Sequence, residues 1–137
     1  MALVVDTGPL LASMDRTDRH HSSCRALLEG TQEPLVIPGP VLVELDYWIH
    51  QRLRPDVFVT LLDDIVRGAM AIAELRAEDY PRIRDLCRRY ADADIGVVDA
   101  SVLAIVERLG ETKLATLDRR HFGILRPRHV DALTLLP

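Results

Sequence analysis

Short apolar runs alternate with longer amphipathic segments along this chain, and the alternation predicts strands and helices in turn. A strand of a parallel sheet is covered on both faces, so it is apolar throughout instead of alternating with polar residues. Strands separated by helices form βαβ units, which give an α/β fold with helices on both faces of one parallel sheet. The predicted strands are 3–5, 35–37, 69–75, 114–117 and 132–136.

Proline and glycine mark where the predicted helices begin and end. Proline is tolerated in the first helical turn, where an amide hydrogen is not needed, and glycine is favoured just after the last turn. The prolines are Pro9, Pro40 and Pro55, and the glycines are Gly30, Gly68 and Gly110. Six helices are predicted, at 9–15, 18–29, 41–52, 55–68, 77–90 and 98–109, and a short turn or helix is predicted at 119–125. Asp18 is the predicted N-cap of the second helix, and Gly68 ends the fourth.

Length and composition predict one cytoplasmic domain spanning residues 1–137. A chain of 137 residues can bury a sizeable core, and it contains no repeat, low-complexity tract or linker. Its apolar runs are far shorter than the roughly 18 residues that a membrane span needs. Asp6 interrupts the first apolar run and no basic region precedes it, so a signal peptide is not expected. Cys24 and Cys87 are isolated, which indicates neither a disulfide framework nor a zinc site.

The charge of the chain leaves nucleic-acid binding open. A formal net charge of −4 argues against a generally basic surface, but Lys113 is the only lysine among 17 basic residues. Arginine binds phosphate groups through two parallel hydrogen bonds, so local arginine clusters could still hold a polyanion. An arginine-favouring genome would produce the same composition. Composition alone therefore does not identify a partner.

Two acidic residues directly follow predicted strands that should lie side by side. Asp6 comes after the strand at 3–5, and Asp118 comes after the strand at 114–117. Ligands of open α/β sheets bind beyond the carboxyl ends of the strands, which is where both acids are expected. Taken alone, each could instead serve as the N-cap of the helix that follows it.

Two further acids lie on helices that should be largely buried. Glu44 shares a helical face with Val41 and Trp48, although it could also be a solvated helix residue. Asp99 begins an apolar helix, where it could simply favour the positive end of the helix dipole. The polar side of that helix is marked by Ser101 and Arg108. At about 100° per residue Asp99 lies opposite them, in line with Leu103 and Val106.

Four carboxylates at one edge of a sheet require a compensating cation, because they cannot all stay ionised together. Hard oxygen ligands suit Mg²⁺ or Mn²⁺, and such a cation suits phosphodiester hydrolysis because it activates water and neutralises charge on the phosphate. Thr7 and Thr116 could orient carboxylates or water, or could be ordinary turn and strand hydroxyls. Arg119, Arg120 and His121 would flank the cleft and are predicted contacts to the substrate phosphate, with a solvated turn as the alternative.

The four acids occur in motifs whose order and spacing resemble the PIN-domain ribonucleases, and more narrowly the VapC toxins of bacterial toxin–antitoxin pairs. The motifs are Val4-Val5-Asp6-Thr7, Val43-Glu44-Leu45, Val98-Asp99-Ala100-Ser101 and Thr116-Leu117-Asp118-Arg119-Arg120-His121-Phe122, followed by Leu125-Arg126-Pro127. The similarity extends over essentially the whole chain. Each motif is weak alone, but the four together are specific. Matched to the family, the acidic quartet falls on Asp6, Glu44, Asp99 and Asp118.

The resemblance implies a fold, an activity and partners. The fold is a PIN-like three-layer α/β/α sandwich with a central parallel sheet of four to five strands, ordered 3-2-1-4-5. The activity is that of an Mg²⁺-dependent endoribonuclease toxin, with Mn²⁺ able to substitute, acting on tRNA or another translational RNA. A VapB-type antitoxin restrains the toxin, which forms a homodimer and a heterotetramer or larger assembly with it. Many relatives carry another acid at the position of Gly96; Asp92 or Asp94 could replace it, or nothing does.

Other interpretations remain. A phosphatase with Asp6 as nucleophile would resemble the haloacid dehalogenases, but Gly8 replaces their second Asp. A receiver domain would need an acidic pair at the first strand and a late lysine. A non-catalytic PIN-like RNA- or protein-binding module would keep the fold and lose acids. His20, His21 and Cys24 have no second cluster at zinc spacing and indicate an exposed helix start. The apolar faces of the helices at 41–52 and 55–67 could receive an amphipathic antitoxin helix.

Overall fold

A computed structural model describes residues 1–137 as a five-stranded parallel sheet with helices packed around it. The strands are β1 (Leu3–Val5), β2 (Leu35–Pro38), β3 (Met70–Ala73), β4 (Lys113–Ala115) and β5 (Thr134–Leu136). The helices are α1 (Thr7–Met14), α2 (His21–Gly30), α3 (Gly39–Arg52), α4 (Pro55–Val66), α5 (Tyr80–Arg89), α6 (Val97–Leu109) and α7 (Arg119–Ile124). The sheet order is β3-β2-β1-β4-β5, which confirms the predicted order.

The central strand β1 lies between β2 and β4, and this position brings two predicted site residues together. Val5 pairs with Ala115, and the ladder continues one step further because the amide of Asp6 donates to the carbonyl of Ala115 over 2.9 Å. Asp6 and Thr116 therefore leave the sheet side by side. A Cβ on Gly8 would lie only 3.2 Å from the Cβ of Leu117, so these two chain segments approach closely just beyond the strands.

The connections distribute the helices over both faces of the sheet. The chain moves outward from β1 through β2 to β3, then crosses back to β4 beside β1. Parallel strands are joined by right-handed connections. Because the chain crosses the sheet in one direction from β1 to β3 and in the opposite direction from β3 to β4, α1–α4 lie on one face and α5–α6 on the other. The three-layer arrangement follows from the sheet order. No helix in the structure combines the length and the hydrophobicity that crossing a membrane requires.

Helix α6 is buried on all sides, which contradicts one prediction. Every residue from Ala100 to Val106 is buried, and Ser101, expected on a polar side, has no exposed surface. Arg108 is also largely covered, because its guanidinium is paired with buried Asp79. A helix enclosed by its neighbours has no solvent-facing stripe, so Ser101 and Arg108 do not mark an exposed polar side of α6. Gly110 ends α6 in the left-handed conformation (φ 69°), as predicted.

Helix boundaries differ from the prediction at several places, among them the start of α3, which is Gly39 instead of residue 41. Helix α1 begins at Thr7, two residues before Pro9. Asp18 is not the N-cap of α2: its carboxylate accepts the amide of His20 over 2.8 Å in a turn, and the helix begins at His21. The predicted helix at 77–90 is divided into a 3-10 turn, Ala77–Asp79, and α5. The carboxylate of Asp79 accepts the amide of Arg76 over 2.8 Å and so stabilises that turn.

Candidate active site

Asp6 is held at the carboxyl end of β1 by a neighbouring strand. Its side chain is 6% exposed, and the hydroxyl of Thr116 donates to its Oδ2 over 2.8 Å. The same hydroxyl oxygen accepts the amide of Asp118 over 3.0 Å. Asp6 occupies the N-cap position of α1, but its side chain makes no capping hydrogen bond. The carboxylate is therefore oriented mainly by Thr116.

Burial makes Asp6 hard to ionise. The pKa of Asp6 is raised from 3.8 to about 6, mainly by removal from water; the charges of Asp99 and Glu44 act in the same direction, and hydrogen bonds from Thr116 and from the amide of Thr7 oppose them. The influence of those two charges places all three carboxylates within electrostatic range of one another. A buried acid with this pKa lacks a compensating positive charge.

Asp99 lies in the first turn of α6, and its carboxyl group is also hard to ionise. The pKa of Asp99 is raised to about 6, mainly by burial and also by the charge of Asp118, while His121 acts in the opposite direction. Glu44, partly buried on α3 between buried Val41 and Leu45, also raises the pKa of Asp99. The structure thus brings Asp6, Glu44, Asp99 and Asp118 to one edge of the sheet. None of the four forms an ion pair with lysine or arginine.

Asp118 both caps a helix and faces the other acids. As the N-cap of α7, it accepts the amide of His121 at Oδ1 over 3.0 Å, so the capping interpretation of this acid is correct. Its Oδ2 lies 2.8 Å from Nδ1 of the same histidine. Nδ1 is also 3.2 Å from Oδ2 of Asp99. One atom each from Asp99, Asp118 and His121 lie within 4.8 Å of one another, so the two carboxylates are close enough to share one cation.

His121 is the site residue whose role the sequence did not indicate. It was predicted as a phosphate contact, whereas its imidazole lies between two of the acids, with Nε2 buried and without a hydrogen-bond partner. The sequence feature that could have indicated this role is the position of His121 three residues after Asp118. A residue three positions after an N-cap aspartate presents its amide to that carboxylate, and its side chain begins close by.

The remaining predicted residues occupy different surroundings. Thr7 is buried, and its hydroxyl has no hydrogen-bond partner. The guanidinium of Arg119 lies against the carbonyl oxygens of Leu135 and Pro137 at the end of β5, while Arg120 is exposed and unpaired. Asp92 and Asp94, the possible replacements for an acid at Gly96, are exposed in the loop before α6.

The acidic site adjoins an apolar cleft of about 820 Å³. Glu44 belongs to both, since it lines the cleft on α3 beside exposed Val43 and Tyr47. The other lining residues are Gly39, Pro40, Trp48, Glu74, Leu75, Tyr80, Val97 and Val98.

The donor atoms of the site fit a divalent cation. They are carboxylate oxygens, which Mg²⁺ and Mn²⁺ prefer, and burial together with neighbouring carboxylates raises the pKa of two of them. The unpartnered hydroxyl of Thr7 is a further buried oxygen beside Asp6.

Sequence comparison identifies the family. Ribonuclease VapC26 from Mycobacterium tuberculosis is 30% identical to this chain over 135 residues, which cover 98% of the chain and 100% of the relative. The chain belongs to the VapC ribonuclease family. No protein-family profile matches it.

Solved structures of VapC proteins share the fold of this chain. VapC20 from M. tuberculosis, a toxin that cleaves the sarcin–ricin loop, superposes with a TM-score of 0.76 at 17% identity, covering 82% of this chain and 87% of VapC20. VapBC2 from Rickettsia felis, bound to a DNA fragment from its promoter, superposes with a TM-score of 0.69 at 18% identity, covering 98% and 97%. These likenesses confirm the PIN-like α/β architecture.

Proposed function

We propose that this VapC-family chain, a single PIN domain over residues 1–137, is a metal-dependent endoribonuclease toxin that hydrolyses phosphodiester bonds of translational RNA. The observation that carries the proposal is the convergence of Asp6, Glu44, Asp99 and Asp118 without a lysine or arginine partner. Family membership supports ribonuclease activity. The uncompensated charge supports the metal requirement, with Mg²⁺ as the cofactor and Mn²⁺ able to replace it.

The residues have distinct proposed roles. When bound, the cation supplies charge neutralisation at the phosphate and promotes ionisation of the attacking water. Asp6 and Asp99, the two acids with raised pKa values, bind it most directly, and Glu44 and Asp118 complete the site directly or through water. Thr116 keeps the carboxylate of Asp6 oriented.

Substrate contacts are proposed on the exposed side of the site. Arg120 is exposed and unpaired two residues after Asp118, so its guanidinium is available for RNA phosphate. Arg119 stays a weaker prediction because it already bonds backbone carbonyls of β5. The buried hydroxyl of Thr7 is available to orient water or a carboxylate.

A VapB-type antitoxin is the proposed partner, together with a homodimeric toxin and a heterotetramer or larger assembly. The R. felis relative is a VapBC complex, which supports a protein partner of the same kind here. Helices α3 and α4 expose apolar side chains that an amphipathic antitoxin helix could cover: Val43, Tyr47, Val59, Leu62 and Val66. The cheapest supporting observation is a short reading frame that overlaps the start of this gene, and its product should abolish cleavage in a mixture of purified proteins.

The test of the activity is RNA 5′-end sequencing in cells after brief induction of the protein. New 5′ ends at a small number of translational RNA positions are expected for the wild type. They should disappear for Asp6→Asn and Asp99→Asn, with the fold retained by circular dichroism. Asp63→Asn, at an exposed acid on α4, is the matched control and should cleave as the wild type does. Full activity of either Asp6 or Asp99 variant would refute the site assignment.

A non-catalytic binding module is the alternative function. Such a module keeps the PIN fold and loses acids, whereas this chain retains all four. Purified protein that binds a partner but cuts no RNA in Mn²⁺ would favour this alternative over the nuclease.

A further inference from the structure

We propose that His121 is a positioning residue, whose Nδ1–H fixes the carboxylate of Asp118 and holds it at a set distance from Asp99. The inference rests on the metal-dependent ribonuclease activity proposed above. It concerns how this chain keeps two acids of the site ready for a cation.

The first support is that His121 holds both oxygens of one carboxylate. Its backbone amide donates to Oδ1 of Asp118 over 3.0 Å, and its ring lies with Nδ1 2.8 Å from Oδ2. Two donors from the same residue fix the plane of the carboxylate, whereas the amide alone would leave Oδ2 free to rotate. The ring therefore adds orientation to a capping bond that α7 would have without it.

The second support is that the ring links two separate helices. Asp99 belongs to α6 and His121 to α7, and Nδ1 lies 3.2 Å from Oδ2 of Asp99. Both carboxylates are acceptors when ionised, and they repel each other at short range. A hydrogen on Nδ1, bonded to Asp118 and facing Asp99 at 3.2 Å, lies between the two carboxylates and opposes that repulsion.

The groups around the imidazole indicate which of its two nitrogens carries the hydrogen. Nδ1 faces two carboxylate oxygens, so it carries the hydrogen, which is an assignment from the acceptors around it. A nitrogen that carries hydrogen cannot bind a cation, so Nδ1 acts on the carboxylates and not as a ligand. Nε2 has no hydrogen-bond partner, which leaves Nδ1 as the only hydrogen-bonding atom of the ring.

Loss of the Nδ1 donor should weaken metal binding more than it weakens RNA binding. Residues that orient metal ligands typically change affinity or activity by roughly 10–100-fold when replaced. The ring is mostly covered and contacts carboxylates, so the KM for RNA should change little while kcat falls. A residue that merely maintained the fold would instead lower thermal stability and leave the metal affinity of the folded protein unchanged.

Two substitutions distinguish the role of Nδ1 from that of Nε2. In His121→Asn the amide nitrogen takes about the place of Nδ1, whereas in His121→Gln it takes about the place of Nε2. The measurements are Mn²⁺ titration calorimetry without RNA, kcat and KM with a model RNA, and the metal-free melting temperature. His121→Gln should bind Mn²⁺ roughly tenfold or more weakly, and His121→Asn should stay within about threefold of the wild type.

Two further variants complete the design. His50→Gln, at an exposed histidine near the end of α3, should match the wild type in every measurement. If the Gln side chain prevents folding, His121→Ala replaces it, because alanine keeps the backbone amide and removes only the ring.

The outcomes distinguish this inference from the proposed function. Equal loss of Mn²⁺ affinity in the Asn and Gln variants, or loss in neither, would overturn the role of Nδ1. A protein whose Mn²⁺ affinity depends on His121 as described, but which cleaves no RNA, would overturn the nuclease proposal and leave this inference standing. A wild type that does not bind Mn²⁺ would overturn both.

Discussion

Thr116 donates its hydroxyl hydrogen to Asp6 across 2.8 Å, between two buried side chains that follow neighbouring strands. The hydroxyl oxygen also accepts the amide of Asp118 over 3.0 Å. One small side chain thus connects two of the four acids, and it lowers the pKa of Asp6 against the effect of burial.

Replacing Thr116 with valine should weaken the site without changing its shape. Valine has nearly the same volume but no donor, so the pKa of Asp6 should rise and Mn²⁺ binding at pH 7 should weaken. A hydrogen bond to a charged group contributes about 1.5–3 kcal/mol, which corresponds to a loss of roughly tenfold or more. Calorimetry and cleavage rates test this, with Thr116→Ser as the control that keeps the donor. Equal Mn²⁺ affinity in the valine and serine variants would contradict the prediction.

Replacing Asp6 with asparagine should stabilise the metal-free protein at neutral pH. The folded-state pKa of Asp6, about 6, lies above the ordinary value of 3.8. The contribution of this acid to stability is therefore fully present below pH 3.8 and is lost as the pH rises through about 6. The penalty at pH 7.5 is on the order of 3 kcal/mol.

Urea unfolding in EDTA checks this stability effect. At pH 7.5 the free energy of unfolding of Asp6→Asn should exceed that of the wild type, and at pH 4 the difference should largely vanish. A difference of the same size at both pH values would mean that the charge of Asp6 is not its cause.

Mn²⁺ should raise the melting temperature at pH 7.5, and it should do so less at pH 5. Protons compete with the cation for Asp6 and Asp99, whose pKa values are both about 6. A ligand at 100 times its dissociation constant stabilises by about 2.7 kcal/mol. Differential scanning fluorimetry with excess Mn²⁺ measures the shift, and EDTA should reverse it. A shift that is as large in Asp99→Asn as in the wild type would place the cation elsewhere.

Arg108→Met should destabilise the fold and leave the metal site intact. Arg108 donates to buried Asp79 over 3.0 Å and to the carbonyl of Glu74 over 2.8 Å. Its removal leaves the Asp79 carboxylate, 4% exposed, without its charge partner, which costs about 3–5 kcal/mol.

Chemical denaturation measures this loss, and calorimetry should show an unchanged Mn²⁺ affinity. Arg67→Met is the matched control, because Arg67 pairs with Asp64 on the surface and such pairs contribute about 1 kcal/mol or less. Losses of similar size in the two variants would show that the Asp79 pair is not effectively buried.

The sheet and the acids at its edge could be predicted because their signals are local. An unbroken apolar run locates β1, and the acid directly after it lies at the carboxyl edge. The strand predicted at 114–117 ends at Ala115, so Asp118 reaches the same edge after Thr116 and Leu117 instead of directly after β4. The strand order came from the resemblance to the PIN domains, since spacing along the chain does not determine which strands become neighbours.

The residues whose surroundings were predicted wrongly are positioned by tertiary contacts, which local sequence patterns do not reveal. Ser101 was expected to face solvent because helical periodicity assumes an exposed side, and α6 has none. Arg119 was expected in the cleft because it adjoins Asp118, but its long side chain reaches the carbonyls of β5. His121 was assigned to the same surface because nothing in the motif reveals that α6 brings Asp99 within 3.2 Å of its ring.

The position of Arg119 also affects the open edge of the sheet at β5. Strand β5 ends the sheet, and residues 134 and 136 use their backbone groups to pair with β4. Leu135 presents its carbonyl to the open side, where an added strand from another molecule would begin to pair. The guanidinium of Arg119 lies against that oxygen and against the carbonyl of Pro137. A strand approaching this edge meets the charged guanidinium and a carbonyl oxygen that already accepts a hydrogen bond, so Arg119 partly blocks the addition of another strand at this position.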